Sequence, residues 1–393
     1  MPFSIIQFGS VLIDVLIVCS VLGVALRRDH RVERSPYGMR HAIAMGLILG
    51  IVFVIKIPCS RLLGVNAFGM LNLLYLDLAI VVPGTAAVIL ILASVGKNAG
   101  FRISRTLRII CLLALSAAPI AVFSSLIEPY RLEELQRDIL VSDARGGDSP
   151  IDIGVLADIQ TDHVGEYERA AVSRLMLHRP DLILIAGDLF QGSRDEFEGQ
   201  MSAIREMLTP LDAPGGVFFV MGDVDWWRED QVRRALDGTR VRPLTDQIVR
   251  LRVGDRNVTL GGIRLNYADE GSRRVIAELE TAPGSDDLRI LLAHRPDVAF
   301  ELSQDSRIDL IVAGHTHGGQ VCFPFVGPLI TLSDVPREVA AGGLHEMSGN
   351  QIYVSRGVGH ERGQAPRIRF LCPPEFSILT VLNRPAAVAH ADR

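Results

Sequence analysis

Residues 314–320 read Gly-His-Thr-His-Gly-Gly-Gln and directly follow an apolar run that ends at Ala313. Two histidines at positions i and i+2 leave a strand end on the same side, so both imidazoles can reach one metal cluster. The glycines allow a sharp turn and a close approach of the backbone to a ligand. A lone His-x-His pair is common and often inert, so its interpretation depends on the residues that accompany it.

Four further segments place a carboxylate or a histidine after a short run rich in Ile, Leu, Val or Phe. They are Ala157-Asp158-Ile159-Gln160, Ala186-Gly187-Asp188, Met221-Gly222-Asp223-Val224-Asp225 and Leu292-Ala293-His294. An α/β fold gathers side chains at one sheet edge in this way, because successive strands end there. The pattern therefore predicts a polar site built from strand ends.

In this order the segments resemble the calcineurin-like metallophosphoesterase superfamily, whose blocks run Asp-x-His, Gly-Asp, Gly-Asn-His-Asp/Glu, His and Gly-His-x-His. The sequence of residues 314–320 is most similar to that of a bacterial, membrane-associated branch of phosphodiesterases. The later segments Tyr353-Val354-Ser355-Arg356-Gly357-Val358-Gly359 and Cys372-Pro373-Pro374-Glu375 are also similar to that branch. The resemblance covers roughly residues 150–384 and does not extend to the first third of the chain.

The resemblance implies a site for two divalent metal ions, with Mn²⁺ expected and Mg²⁺, Fe²⁺ or Zn²⁺ as alternatives. Carried over block by block, the first ion would be held by Asp158, Gln160, Asp188 and His317. The second would be held by Asp188, Asp223, His294 and His315, with Asp188 as the bridge. The expected catalytic residues are Asp188, His294 and Asp225, although Asp225 also fits a turn or supporting role. Two such cations can bind phosphoryl oxygens and lower the pKa of a bound water, so that metal-bound hydroxide attacks in line.

Three positions depart from the commonest family pattern. Gln160 stands where His is usual and offers a harder oxygen ligand, which favours Mn²⁺ or Mg²⁺. Asp223 replaces Asn and adds a negative charge. Val224 replaces the His that helps to stabilise or protonate the leaving group, and valine can do neither. Either another residue substitutes, or the activity is limited to good leaving groups, or the domain is impaired.

The elements that must position these residues predict an α/β fold. We expect a four-layer sandwich of two mixed β-sheets flanked by helices, preceded by an all-α membrane domain of about four transmembrane helices. Strand candidates are Ile151–Ala157, Leu182–Ala186, Val217–Met221, Gln247–Val253, Val258–Ile263, Arg289–Ala293, Leu310–Ala313, Ile352–Ser355 and Ile378–Leu382. Helical spacing covers Glu166–His178, Glu196–Leu208, Ser272–Glu280 and Asp297–Leu302.

Composition predicts a membrane protein. The chain has 393 residues, a net charge of -5 and a mean hydropathy of +0.28, which is high for a soluble enzyme. Apolar runs cover about 3–26, 42–57, 70–94 and 109–127, within a domain of residues 1–127. The second run is short, and Lys56 is expected to snorkel at its end. The mild acidity argues against a nucleic-acid-binding surface.

Basic residues predict the orientation of these spans. Arg27, Arg28, Arg31, Arg34 and Arg40 lie between the first two runs, and Lys97, Arg102, Arg105 and Arg108 between the last two. The positive-inside rule places both loops in the cytoplasm, so the C-terminal domain would be extracytoplasmic on a multi-pass protein of the inner membrane. If the second run does not span, the orientation reverses.

The remaining segments carry weaker signals. The stretch Glu128–Val141 has spacing compatible with an amphipathic helix at the membrane surface, so residues 128–149 are interpreted as a juxtamembrane helix and linker. Residues 150–384 form the metallophosphoesterase-like domain, and residues 385–393 are interpreted as a tail. Asp14 and Asp77 lie inside apolar runs, where helix packing is favoured over a proton relay. The five cysteines form no Cys-x-x-Cys pair.

The leading hypothesis is a membrane-anchored phosphohydrolase with two metal ions, acting on a phosphodiester or pyrophosphate that could be lipid-linked. One rival is a lipid-linked sugar-nucleotide pyrophosphatase of envelope lipid synthesis, which the extracytoplasmic orientation opposes because nucleotide sugars are cytoplasmic. The other is a degenerate protein that binds metal or ligand without turnover, which Val224 motivates. The expected partners are the substrate and the lipid bilayer, without nucleic acid.

Arg295 and Arg356 are candidate phosphate contacts or solvated arginines, and His163, His178, His345 and His360 are expected at the surface.

Overall fold

The computed structural model describes residues 2–28, 39–95, 102–141, 145, 147–281, 286–303 and 306–384. The basic residues at 31, 34 and 97 and the expected tail at 385–393 lie outside these residues. Contacts divide the chain into two compact units. The helical unit comprises Met1–Ser125 with Gly363–Pro366, and the sheet unit comprises Leu126–Arg362 with Arg367–Arg393.

The helical unit contains four stretches that are long and apolar enough to cross a membrane, which agrees with the four apolar runs of the sequence. They are Phe3–Val24, Ile43–Leu62, Ala67–Val95 and Arg105–Tyr130. Its helices are α1 (Phe3–Arg28), α2 (Met39–Leu62), α3 (Ala67–Leu76), α4 (Val82–Val95), α5 (Arg105–Leu115) and α6 (Ala117–Val122). A π-helical segment, Asp77–Val81, joins α3 to α4. The second span is therefore long enough to count as a candidate, although Pro58 lies inside its helix.

Charged residues inside the spans pair with one another. Lys56 on α2 forms an ion pair with Asp14 on α1 and lies 3.8 Å from Asp77 Oδ1. Its ammonium group also donates to Ser10 Oγ at 2.9 Å. The expectation that Lys56 snorkels is wrong, because a partner within the bundle compensates its charge. These contacts give both carboxylates a role in packing the helices against one another.

The sheet unit is built on two six-stranded mixed sheets and one short hairpin. Its strands are β1 (Glu133–Val141), β2 (Ile151–Leu156), β3 (Leu182–Ile185), β4 (Val217–Phe219), β5 (Val241–Pro243), β6 (Gln247–Val253), β7 (Arg256–Gly262), β8 (Leu288–Leu292), β9 (Leu310–Ala313), β10 (Cys322–Phe323), β11 (Gly327–Pro328), β12 (Gly343–Met347), β13 (Asn350–Val354) and β14 (Glu375–Asn383). The first sheet has the order β1-β14-β2-β3-β4-β5 and the second β12-β13-β9-β8-β7-β6, while β10 and β11 pair separately. Strands β2 to β5 are parallel neighbours, as are β7, β8, β9 and β13.

Three apolar clusters define four layers. One cluster lies between the sheets and joins residues such as Ile153 and Leu184 of the first to Ile290 and Leu310 of the second. A second cluster packs the outer face of the first sheet against α7 (Glu166–Leu177), α8 (Arg194–Leu208) and α9 (Glu229–Leu236). A third packs the second sheet against α10 (Glu270–Thr281). The α/β sandwich with helical flanks, preceded by four bilayer-length helices, is confirmed.

Strand β1 replaces the expected juxtamembrane helix. Residues Glu133–Val141 pair in parallel with β14 along their whole length, from Glu133 opposite Glu375 to Val141 opposite Asn383. The helix prediction is wrong, because Leu135, Ile139 and Val141 share one face of a strand and join the cluster between the sheets. The segment that follows the fourth span therefore belongs to the sheet unit. The last helix, α11 (Arg337–Ala340), is short.

Candidate metal centre

The predicted site residues follow the carboxyl ends of strands that lie side by side. Asp158, Asp188 and Asp223 follow β2, β3 and β4 in the first sheet, and His294 and His315 follow β8 and β9 in the second. Because neighbouring parallel strands end at the same edge, these side chains meet at one end of the sandwich. Two sets lie close enough to share an ion, Asp158 with Asp188 and His294, and Asp223 with His294 and His315.

The backbone at this edge is strained. Five of the seven predicted metal ligands adopt a left-handed φ, a conformation that is uncommon for residues other than glycine. They are Asp158 (φ 46°), Gln160 (φ 36°), Asp188 (φ 55°), His315 (φ 74°) and His317 (φ 50°). Strain of this kind concentrates at functional sites, where the surrounding fold holds it in place.

His294 is held with one ring nitrogen facing the centre. Its Nδ1 donates to the carbonyl of Ala186 at 2.7 Å, which leaves Nε2 facing the centre. Nε2 lies 3.3 Å from Asp223 Oδ2 and 3.5 Å from Asp188 Oδ2. The side chain is fully buried. The imidazole is therefore oriented in the manner of a metal ligand whose second nitrogen is fixed by the backbone.

His315 is oriented in the same way. Its Nε2 donates to the carbonyl of Leu332 at 3.0 Å, while Nδ1 lies 2.7 Å from Asp223 Oδ2. The backbone N–H of His315 donates to both oxygens of Asp158 at 3.0 Å. Asp223 also receives a two-pronged ion pair from Arg295. Arg295 thus balances the extra charge that Asp223 brings in place of the usual Asn.

Asp188 lies where the turns after β3 and β4 touch. Its Oδ1 accepts from the backbone N–H of Val224 at 2.9 Å, which leaves Oδ2 toward His294. Gly222 presses directly on this carboxylate, and a Cβ at that position would overlap Asp188 Oδ1. A residue with a side chain at position 222 would therefore displace the expected bridging ligand. The Val224 side chain is buried beside it and supplies no proton donor.

Gln160 is buried and fixed by residues that the sequence patterns did not reveal. Its amide nitrogen donates to Gln191 Oε1 and to Glu361 Oε2, both at 3.0 Å. Gln191 donates in turn to Glu361, and Gln320 accepts from the backbone N–H of Glu361. Because the amide nitrogen of Gln160 makes both of these hydrogen bonds, its carbonyl oxygen remains available as an oxygen ligand. Gln320 is the last residue of the His-x-His motif segment, and Gln191 follows Asp188 by three residues, which was the available signal.

His317 is buried, and its backbone carbonyl is held by Arg369. The Arg369 guanidinium donates to the carbonyls of His317 at 3.3 Å, Cys372 at 3.1 Å and Gly359 at 3.0 Å. It therefore fixes the loop around residue 359 to the motif that carries His317.

His360 in that loop is buried, and its expected surface position is wrong, because the loop is drawn inward by Arg369. His163 is exposed, and His178 and His345 are partly exposed.

Asp225 has the contacts of a positioning residue. Its Oδ2 accepts from the backbone N–H groups of Asp188 at 2.7 Å and Gly222 at 3.0 Å. Its Oδ1 accepts from the N–H of Leu189 at 3.0 Å, and the residue is fully buried. These bonds join the turn that carries Asp188 to the turn that carries Asp223. These contacts support a positioning role for Asp225, and the catalytic role expected from the sequence stays a prediction.

A cavity of about 550 Å³ lies on the Arg295 side of the centre. Its lining includes Met221, Trp226, Tyr267 and Arg295. Trp226 is exposed and belongs to this wall, whereas the guanidinium of Arg228 stacks on Trp227 at 4.2 Å from the ring centre. The cavity offers space for a group attached to a phosphoryl unit at the centre.

Arg356 is not available as a phosphate contact. Its guanidinium is paired with Glu375 at 2.5 Å and lies 3.5 Å from Glu133, and its side chain is mostly buried. Both sequence-based alternatives for Arg356, a phosphate contact or a solvated arginine, are therefore wrong. The pairing instead joins the segment after β13 to β14 and to the start of β1.

The centre concentrates negative charge away from water. Burial raises the pKa of Asp188 well above its usual range and raises the pKa of Asp158 to about 6. Burial opposes the charge of His294, but the carboxylates of Asp188, Asp223 and Asp158 outweigh it and raise the pKa of His294 to about 10. Ionised carboxylates in such a place require cationic partners.

The donor atoms fit divalent cations. Within the described residues, no hydrogen-bond partner was found for three buried atoms of the predicted ligands, Gln160 Oε1, His294 Nε2 and His317 Nδ1. Buried polar atoms are nearly always paired in folded proteins, so three such atoms in one ligand set indicate a missing partner. Mixed carboxylate, amide and imidazole donors suit Mn²⁺, Fe²⁺ or Zn²⁺. The residues therefore fit the metal ions that the sequence predicts, without fixing which metal is used.

Comparison with known proteins identifies the family to which the chain belongs. The sequence profile of the Calcineurin-like phosphoesterase family matches residues 151–319. YkuE, an uncharacterised metallophosphoesterase of Bacillus subtilis, is 28% identical over 277 residues, covering 66% of this chain and 88% of YkuE. Phosphodiesterase YaeI of Escherichia coli is 30% identical over 210 residues, covering 52% of this chain and 71% of YaeI. The solved structure of phosphopantetheinyl hydrolase PptH from Mycobacterium tuberculosis gives a TM-score of 0.32 at 13% identity, over 51% of this chain and 87% of PptH.

Proposed function

Because the chain belongs to the calcineurin-like metallophosphoesterases and is a metal-dependent phosphoester hydrolase, we propose that it is membrane-anchored and cleaves a phosphodiester or pyrophosphate bond with two metal ions. The observation that carries the proposal is the meeting of carboxylates and imidazoles from both sheets at one edge, where buried ligand atoms have no hydrogen-bond partner among the described residues. YaeI, a relative named a phosphodiesterase, supports the diester over the monoester.

We assign Asp158, Gln160, Asp188 and His317 to one ion, and Asp188, Asp223, His294 and His315 to the other. When bound, the ions would neutralise phosphoryl charge and lower the pKa of a water near the phosphorus atom. The protein itself orients the side chains that would bind the ions. Ala186 and Leu332 fix the two imidazoles through their carbonyls, and the N–H of Val224 fixes Asp188. Arg295 can turn from Asp223 toward a phosphoryl oxygen once cations take up the charge of that carboxylate.

The residue at position 224 restricts the classes of leaving group that we expect the substrate to carry. Val224 occupies the position from which the family's usual His assists the leaving group, and its side chain has no proton to give. We therefore propose that the preferred substrates have leaving groups stable as anions, as in a pyrophosphate or an aryl ester. The cavity at Trp226, Tyr267 and Arg295 would hold the group beyond the scissile bond.

The test of function uses the full-length protein in detergent, stripped with a chelator and reloaded with Mn²⁺, Mg²⁺, Fe²⁺ or Zn²⁺. We expect metal-dependent hydrolysis of bis-p-nitrophenyl phosphate, because p-nitrophenolate leaves without protonation. Elemental analysis should give two ions per chain. Two bound ions with no turnover of this diester or of a pyrophosphate would favour the binding-only alternative, and failure to bind metal would overturn the proposal.

We further propose that the sheet unit is extracytoplasmic, because basic residues concentrate in the first and third loops. A reporter active only outside the cytoplasm is expected to work when fused after Ser149 and to fail when inserted at Arg34. The reverse pattern would place the sheet unit in the cytoplasm. It would then favour the alternative substrate, a lipid-linked sugar nucleotide.

A further inference from the structure

An apolar hairpin follows the His-x-His motif directly. Residues 321–332 contain no charged side chain, and β10 and β11 pair within this segment. Its exposed large apolar side chains are those of Phe323, Phe325, Val326, Leu329, Ile330 and Leu332. Soluble proteins rarely expose so many large apolar side chains together, and such surfaces usually mark a protein or membrane interaction.

The fourth candidate span ends beside the root of this hairpin. The span covers Arg105–Tyr130, and its last residues, from Leu126 onward, belong to the sheet unit. It contains 26 residues, more than the roughly 20 needed to cross the hydrocarbon core, so a bilayer crossed by this helix would have its surface near the end of the span. Glu128 in this last turn is buried and accepts from the N–H groups of Leu371 at 2.9 Å and Cys372 at 3.0 Å.

The segment held by Glu128 is also the segment that holds the hairpin. The N–H of Cys322 donates to the carbonyl of Phe370 at 2.9 Å, and the rings of Phe323 and Phe370 lie 6.1 Å apart. Paired strands are separated by about 4.8 Å, so the hairpin begins one strand spacing from the residues that contact the end of the span. Leu371, between them, is itself exposed.

We propose that the hairpin Val321–Leu332 docks into the bilayer surface, with Phe325 at its tip entering the acyl boundary. The bilayer is the occupant that the structure favours, because the hairpin is uncharged and its root adjoins the segment that contacts the end of the fourth candidate span. Burial of apolar side chains at the interface is the driving force, as for other interfacial segments.

Docking would place the metal centre at the membrane surface. The far end of the hairpin, at Leu332, accepts the hydrogen bond that orients His315. A ligand of the centre is therefore held by the docked segment. Together with the proposed function, on which this step rests, the substrate class becomes a phosphoester or pyrophosphate carried by a lipid within the headgroup layer.

The test places a tryptophan at the hairpin tip of the full-length protein in nanodiscs made with brominated phosphatidylcholine. The chain has two native tryptophans, so the added emission of Phe325→Trp is obtained by difference from wild type. Leu177→Trp on α7 is the matched control, since Leu177 is 81% exposed and Phe325 is 109% exposed. We expect the emission from position 325 to shift to shorter wavelength and to be quenched by bromine, whereas emission from 177 is not.

Equal emission of Phe325→Trp in brominated and ordinary lipid, or equal quenching at 325 and 177, would overturn the proposal. A blue-shifted but unquenched tryptophan at 325 would also overturn it, in favour of contact with a second copy of the chain. This readout needs no turnover, so its failure is distinct from failure of the proposed function.

A second measurement tests the substrate class. The double variant Phe325→Asp, Ile330→Asp should raise KM for a phosphatidyl p-nitrophenyl diester in nanodiscs and leave hydrolysis of soluble bis-p-nitrophenyl phosphate unchanged. The double variant Phe325→Leu, Ile330→Leu keeps the apolar character and should behave as wild type. An equal effect of the Asp variant on both substrates would show a structural defect and contradict docking as the cause.

Discussion

Asp188→Asn is expected to lower hydrolysis of bis-p-nitrophenyl phosphate by more than about 100-fold, since even residues that only orient metal ligands contribute typically 10–100-fold. The substitution keeps the shape of the side chain, and the amide oxygen can still accept from the N–H of Val224. It removes the negative charge that the proposed bridge requires between two cations. Metal content, measured by elemental analysis, should fall together with the rate.

Asp195→Asn is the matched control for this variant. Asp195 is exposed in the first turn of α8, away from the strand ends, so the same change of charge should leave rate and metal content unaltered. A wild-type rate with two ions per chain in Asp188→Asn would refute the bridge. A loss of rate with full metal content would restrict Asp188 to a role other than holding metal.

Asp225→Asn is expected to destabilise the metal-free protein as well as to lower its activity. An amide has one acceptor oxygen where the carboxylate has two, so at least one of the three buried N–H groups loses its partner. Leaving a buried donor unsatisfied costs about 1–3 kcal/mol. For a domain of this size the melting temperature should fall by roughly 2–12 °C. Thermal unfolding in the presence of a chelator measures this effect without interference from bound ions.

A role in chemistry alone would give a different result for Asp225. If its carboxylate acted only on the substrate or a cation, Asp225→Asn would lower kcat and leave metal-free unfolding at the wild-type temperature. Asp230→Asn provides the comparison, because Asp230 is exposed on α9 and pairs only with Arg194 among the described residues. An unchanged melting temperature in Asp225→Asn would favour the catalytic role that the sequence predicts.

The sequence was sufficient to place the ligand candidates because their positions follow from strand ends. Asp158, Asp188, His294 and His315 each follow a short run of β-branched and aliphatic residues, and parallel strands bring such positions together. The two-sheet fold was predictable for the same reason. The assignment of each residue to one or the other ion goes beyond proximity and stays a prediction.

Other features depend on contacts between distant parts of the chain. Glu361 reaches Gln160 across 201 positions, and nothing in the spacing of either residue indicates the pair. Arg369 is fully buried because backbone carbonyls surround its guanidinium, whereas an arginine in a sequence is expected at the surface. The sequence predicted a helix in place of strand β1, because Arg137 interrupts the alternation of apolar and polar residues. Leu135, Ile139 and Val141 otherwise follow that alternation.

The left-handed backbone of five ligands has an evolutionary consequence. Each such residue costs about 1–2 kcal/mol relative to an ordinary conformation, and glycine or asparagine would relieve much of it. Selection for stability and selection for turnover therefore oppose each other at these five positions. A lineage released from the need for hydrolysis should drift toward glycine or asparagine there before its strands or its spans change. Sequences of non-hydrolytic descendants, where they are found, can be checked for that order of change.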